Sequence, residues 1–508
     1  MRPHKTLLFL ISIFVVLAII SFVFPKQGVR IGTNTLIRFS DINSLFTIEK
    51  QKYADINEIL EYHQSDIVDD ISEIVKDTLA DDEVLNNDTL DVVESNDSLA
   101  VVDTIKTEKK PRKEKKKSVK RALEYPKGNS KVLYPFFKKL SSLKKSKELI
   151  RVLHYGDSQI EGDRISSYIR NELQKQFGGS GIGLFAPVLI KGTNISIEHK
   201  LTGSWNRHTM HSIKNGTIFH KRLGVLMSFG RFAPEINDGN KMYYGEINLR
   251  KSNLSYRRTR KFKKCRVFYG YNKGPFIAEL KYKDQTLDAE LIPVSYQLQT
   301  LSWDIDGALD EITISFKGED SPDVYAIALD DDRGIAVDNI PLRGSSGIDF
   351  TRTDLAFLRA MYQELNVKLI IMEFGVNIVP YLNKNYSYYE KQFYKQLKTL
   401  KSLRPDISII VIGVSDMSRK KDGEYVSYGN IEKIRDAQRN AAFKAGCVFW
   451  DMYEAMGGYN SMPAWVNADP PLARTDFTHF TWRGSSVISK MFFEALMNDY
   501  KKYKSRKK

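Results

Sequence analysis

Residues 367–374 read V-K-L-I-I-M-E-F, a near-continuous apolar run closed by Gly375. A strand that is apolar on both faces has to be covered on both faces, and parallel sheets layered between helices are where such strands occur. The flanking sequence agrees. Helical spacing over 352–365 precedes the run and helical spacing over 388–403 follows it. An apolar strand at 407–414, a helix at 430–445 and a strand at 447–451 come next. Upstream, a strand at 151–155 leads into a helix at 159–177, and another short strand begins near residue 334. Strands alternating with helices predict an α/β domain whose ligand site lies beyond the carboxyl ends of its strands.

The alternation is interrupted. From about residue 194 to 329 the chain turns to short β-branched and aromatic runs, among them 241–249, 266–271, 276–282, 289–294 and 311–316, separated by turn residues. That pattern predicts an inserted β-sandwich of jelly-roll type over 193–330, with the α/β domain formed by 125–192 and 331–500. Trp205, Tyr243 and Tyr244 within it suit either sugar stacking or core packing. His208, His211 and His220 hint at a metal, but no neighbouring carboxylate or cysteine completes a ligand set, so packing or surface histidines are expected. The glycine-rich stretch 178–183 lacks the Lys-Ser or Lys-Thr pair of a phosphate loop and reads as a turn.

At the front, Arg2, His4 and Lys5 precede an uncharged apolar run over 7–24, long enough to span a bilayer. No small-x-small cleavage site follows at 25–27, which predicts an uncleaved membrane anchor over 1–28 with the rest of the chain outside the cytoplasm. Secretion after cleavage is the alternative. Residues 29–124 read as linker, acidic to about 103 and then Lys-rich over 106–121, where no core can form. Much of the net charge of +15 sits in that Lys-rich run and in a basic tail at 501–508. No nucleic-acid motif accompanies it, so nucleic acid is not an expected partner. Cys265 and Cys447 are far apart and show no metal or disulfide spacing. Nothing in the sequence sets an oligomeric state.

Four motifs fall at predicted strand ends: Gly156-Asp157-Ser158, Gly344, Asn377, and Asp476-Phe477-Thr478-His479. Alone, each has a plain structural reading as a helix cap, a turn glycine or a surface pair. In this order on an α/β pattern they resemble the four signature blocks of the SGNH, or GDSL, hydrolases. The resemblance spans about 151–496, outside the β insertion. Gln159 stands where that family usually has Leu, and Ile378 where it often has an acidic residue.

The resemblance implies a flavodoxin-like three-layer α/β/α fold and a serine esterase that needs no cofactor and no metal. Ser158 would be the nucleophile, His479 its base and Asp476 the carboxylate that orients the imidazole. The Ser158 and Gly344 N–H groups and the Asn377 amide would form the oxyanion hole. A β-sandwich between the first and second blocks is similar to the arrangement in bacterial peptidoglycan O-acetylesterases, as are 456–462 and 476–481. An acetylated glycan or peptidoglycan is therefore the expected substrate. An O-acetyltransferase of the same fold and a non-catalytic glycan-binding protein are the alternatives.

Overall fold

The computed structural model describes residues 9, 11–16, 29–31, 35–37, 53–61, 122–236, 241–307 and 309–506. The chain divides into two compact units, Met1–Tyr53 and Ala54–Lys508. In the first, residues 11–16 are helical and Val29–Ile31 pairs antiparallel with Thr35–Ile37. Among the described residues no helix is long and apolar enough to cross a membrane. The remainder of the 7–24 run, and the acidic and Lys-rich linker over 62–121, lie outside the described residues.

The second unit is built on a parallel sheet of β1 (Leu149–Gly156), β2 (Gly334–Pro341), β3 (Val367–Glu373), β4 (Ser408–Ile412) and β5 (Val448–Trp450), in the order β2-β1-β3-β4-β5. Its long helices are α1 (Tyr134–Ser142), α2 (Ser166–Phe177), α3 (Leu355–Glu364), α4 (Ser387–Leu403), α5 (Ile431–Lys444) and α6 (Trp482–Ser505). Strand side chains alternate between two cores. Ile150, Val152, Leu369 and Ile371 pack with residues of α1, α2 and α6. Leu153, Tyr155, Ile370 and Met372 pack with residues of α3, α4 and α5. This is the 2-1-3-4-5 order of flavodoxin-like sheets, whose direction of winding reverses between β1 and β3 and opens a crevice at their carboxyl ends.

The helices follow from their spacing. Along α6 the buried residues Val487, Ile488, Met491, Phe492, Ala495, Leu496, Tyr500 and Tyr503 recur on one face, and each large apolar side chain buried contributes about 1.5–3 kcal/mol. Thr481 caps the helix through the Gly484 N–H at 3.2 Å. The helix continues to Ser505, so most of the predicted tail is its last turns.

Between α2 and β2 the chain builds two antiparallel sheets. One has the order Gln285–Ile292, Phe276–Tyr282, Glu311–Gly318, Tyr243–Lys251, Ile197–Gly203. The other runs Ser295–Asp304, Lys264–Asn272, Asp323–Asp330, Ser228–Arg231, Asn206–Thr209. Their inner faces share a core that includes Val267, Ile314, Phe316 and Ile327. Gly183–Phe185 also pairs with Asp323–Asp330, so sandwich structure begins before the predicted boundary at 193, as soon as the glycine-rich turn ends. A buried seam ties this insertion to the parallel sheet. Arg151 of β1 pairs with Asp330 of the last sandwich strand and with Asp338 of β2, while Arg266 reaches Asp330 at 2.8 Å.

Part of the predicted linker belongs to this body. Ile56 and Ile59 are buried in the core on the α1 side, and Glu124 exchanges backbone hydrogen bonds with Phe449 beside β5. The acidic stretch has too few apolar residues to show a helical period, yet Ile56 and Ile59 are enough to dock one helical turn.

Candidate active site

β1 delivers Gly156, Asp157 and Ser158 to the crevice. A Cβ on Gly156 would lie 2.9 Å from the Glu373 carbonyl and from Ile160, so the turn can press against the end of β3 only with glycine there. The predicted helix from Gln159 does not start at once. Ser158–Asp163 is a tight turn kinked at Gly162, and α2 begins at Ser166. Ser158 is thus held by the turn and not by a helix N-terminus.

His479 Nε2 lies 2.8 Å from Ser158 Oγ, and His479 Nδ1 lies 2.7 Å from Asp476 Oδ2. Asp476 Oδ1 accepts the backbone N–H of Thr478 and of His479, each at 2.9 Å. Burial pushes the Asp476 carboxyl up, but the His479 imidazole and the two N–H donors outweigh it and hold the pKa at about 2. Ionised Asp476 accepts a hydrogen bond from Nδ1–H, which leaves Nε2 as an acceptor for the Ser158 hydroxyl. The Asp476 side chain is 46% exposed and His479 27%, so the pair sits at an open surface.

The Gly344 and Asn377 loops come to the same strand ends. The Leu342 N–H donates to the Gly156 carbonyl at 2.7 Å, and Asn377 Nδ2 donates to the Ser345 carbonyl at 3.0 Å. That bond uses one proton of the Asn377 amide and leaves the other. Among the described residues neither the Ser158 nor the Gly344 N–H has an acceptor. Gly344 has φ +77° with open space around its Cα, so backbone conformation and not crowding selects glycine there.

Three residues in the site carried no assignment from the sequence. Asp157, fully buried, accepts from Gln159 N at 3.0 Å through one oxygen, and from Gly375 N at 3.0 Å and Val376 N at 3.3 Å through the other. It clasps the nucleophile turn to the loop bearing Asn377. Burial, opposed by those N–H donors and reinforced by Glu373, pushes its pKa up to about 7. Gln159 Nε2 donates to the Thr478 carbonyl at 2.8 Å and to Ser415 Oγ at 3.1 Å. Arg164 donates to the Phe480 carbonyl at 3.0 Å and to the Ser158 carbonyl at 3.2 Å. Gln159 and Arg164 bridge turns distant in sequence; the one sequence signal was a polar residue where Leu is usual.

Other serine, histidine and aromatic side chains fall outside the hydrogen-bonded line of Ser158, His479 and Asp476. Ser415 is buried and accepts from Gln159. His154 lies beneath the turn, 3.1 Å from Glu373 Oε2 and 2.9 Å from Ser166 Oγ. His208 and His220 both stack on Phe229, and His211 is exposed. His220, Glu235 and Asp323 bring ligand atoms within 4.8 Å of one another, but the Arg231 guanidinium already pairs with both carboxylates. Trp205 packs edge-on against Phe232 and Phe316; of the three aromatics considered for sugar stacking, Tyr244 alone is exposed.

Strand order and strand-end residues together define a three-layer α/β/α chain that resembles the SGNH hydrolases, carrying a β-sandwich between its first and second strands. No family model matches the chain, and no curated protein matches it. Among solved structures, a peptidoglycan O-acetylesterase aligns with a TM-score of 0.57 at 21% identity, covering 72% of this chain and 96% of that one. An acetyl xylan esterase aligns at 16% identity over 32% of this chain and 81% of its own, with a TM-score of 0.24. A family 3 carbohydrate esterase from Talaromyces cellulolyticus does so at 15% identity over 34% and 73%, with a TM-score of 0.24. The chain therefore shares its fold, insertion included, with the first of these.

Proposed function

We propose that this protein is a serine esterase that removes O-acetyl groups from peptidoglycan or a related envelope polysaccharide. The observation that carries the reading is the continuous hydrogen-bonded line from Ser158 through His479 to Asp476. His479 Nε2 takes the hydroxyl proton as Ser158 Oγ attacks the acetyl carbonyl, and Asp476 stabilises the imidazolium that forms. The tetrahedral oxyanion is received by the Ser158 and Gly344 N–H groups and by the free proton of the Asn377 amide. Collapse expels the sugar hydroxyl, which takes its proton from His479. Water, activated by the same imidazole, then releases acetate from acetyl-Ser158. Residues 7–24 anchor the enzyme, with the catalytic body outside the cytoplasm, where such a polymer is found.

Purified protein is expected to hydrolyse a chromogenic acetyl ester and to release acetate from O-acetylated peptidoglycan. A fluorophosphonate should label Ser158, and Ser158→Ala should abolish both turnover and labelling. Absence of turnover together with absence of labelling in the wild type would overturn the reading. Protease accessibility in intact cells tests the location.

A further inference from the structure

Beside the nucleophile turn, on the side of the inserted sandwich, lies a cavity of about 50 Å³ lined by residues that include Thr193, Asn194, Arg207, Asn339 and Pro341. Its walls continue directly into the site. Pro341 pairs with Gly156 across β2 and β1, and the Thr193 carbonyl accepts the Gly162 N–H at 3.0 Å. Chain geometry alone keeps Pro341 Cα within about 12 Å of Ser158 Cα.

The polar groups of this cavity are unusual in sign. Arg207 is part-buried and its Nε is shut off from solvent without a hydrogen-bond partner. Among the described residues its guanidinium has no ion pair, whereas the nearby Arg164, Arg231 and Arg343 are all bonded. Asn339, more than nine-tenths buried, accepts from Ser166 Oγ through its oxygen at 2.8 Å and leaves its Nδ2 buried and unpartnered. No carboxylate lines the cavity. Burying a guanidinium without a counter-ion is costly, and an orphaned amide donor adds to that cost. An anion in the cavity that both residues line would supply the missing acceptor.

We propose that this cavity is a subsite for a carboxylate carried by the acetylated glycan, held by Arg207 and Asn339 while an ester elsewhere on the chain lies at Ser158. The inference rests on the esterase reading for its place in catalysis. The volume exceeds the roughly 10–15 Å³ that one water needs on the same measure, so the cavity has room for a carboxylate carried on the glycan. Such a group belongs either to a sugar acid or to a peptide attached to the glycan.

The test is calorimetric binding to full-length Ser158→Ala protein, using an oligogalacturonate for the sugar acid, a muramoyl dipeptide for the peptide acid, and the amidated form of each. At least one acid should bind about tenfold or more tightly than its amide. Arg207→Gln should erase that difference, and Arg207→Lys should keep part of it. Which acid discriminates identifies the source of the carboxylate. Equal binding of acid and amide in both pairs overturns the subsite, and so does discrimination that survives in Arg207→Gln. Turnover of the chromogenic ester without discrimination leaves the esterase standing and the subsite wrong; discrimination without turnover does the reverse.

Discussion

Two aspartates flank Ser158, and they are held in opposite ways. Asp476 is half exposed, bonded to His479 and two N–H groups, and kept ionised with a pKa of about 2. Asp157 also accepts backbone N–H groups, three of them, but it is buried beside Glu373 with no ion pair to a cation among the described residues, and its pKa rises to about 7. The contrast shows that hydrogen-bond count does not set the role of a carboxylate here. What differs is the presence of an imidazole and of solvent. Asp476 presents its charge to His479, whereas Asp157 supplies acceptors to the architecture.

Asp476→Asn separates those roles most sharply. The isosteric amide keeps most of the loop geometry but cannot enforce the Nδ1–H tautomer, so kcat on an acetyl ester should fall by about 10⁴-fold with little change in KM. A loss under tenfold would mean that the carboxylate only shapes the loop. For Asp157 the expected pattern is different. Asp157→Ala orphans buried N–H donors and frees the Asn377 loop, so both stability, by about 3 kcal/mol, and kcat, by about 10²-fold, should drop together. Because folding raises the Asp157 pKa above the usual carboxylate range, the folded state binds the extra proton. The stability it contributes is present below about pH 4 and declines as pH rises through about 7. Asp157→Asn removes that slope, which denaturation at pH 5 and pH 8 would reveal.

Gln159→Leu is the gentler perturbation, since it restores the side chain usual at that position. It removes the donor to the Thr478 carbonyl, one residue from His479, without opening a cavity. A loss of about tenfold in kcat with an unchanged melting temperature would make Gln159 a positioning residue for the imidazole. Unchanged kinetics would reduce it to packing.

The parallel sheet was legible because its strands carry their own signal: the 367–374 run is apolar on both faces, and periodicity reports burial. Three of the four motif positions were legible because Ser158, Gly344 and Asn377 each follow a strand of the parallel sheet, and Asp476 with His479 because they stand just before the final helix. The clasp by Asp157 and the bridge by Gln159 were not, since each joins groups hundreds of residues apart and shows only as a single polar letter. The docking of Ile56 and Ile59 was hidden for a related reason: two apolar residues in an acidic stretch have no period to detect. Arg207 was silent too, because a part-buried arginine with no ion pair among the described residues is defined by what surrounds it.

The smallest effect expected from the comparison concerns Asp476 and stability. Its folded pKa lies below the ordinary carboxylate value, so the sign is opposite to that of Asp157. The stability contributed by pairing with His479 is fully present above about pH 4 and lost as pH falls toward 2. Solvent screens a pair this exposed, and the contribution should stay under about 1 kcal/mol. Melting temperatures of wild type and Asp476→Asn, followed from pH 6 down to pH 2, should converge at the acid end while the gap between wild type and Asp157→Asn varies only at higher pH. A wild-type advantage over Asp476→Asn that persisted at pH 2 would place the stabilisation in loop packing and not in charge, and the division of labour between the two aspartates would collapse.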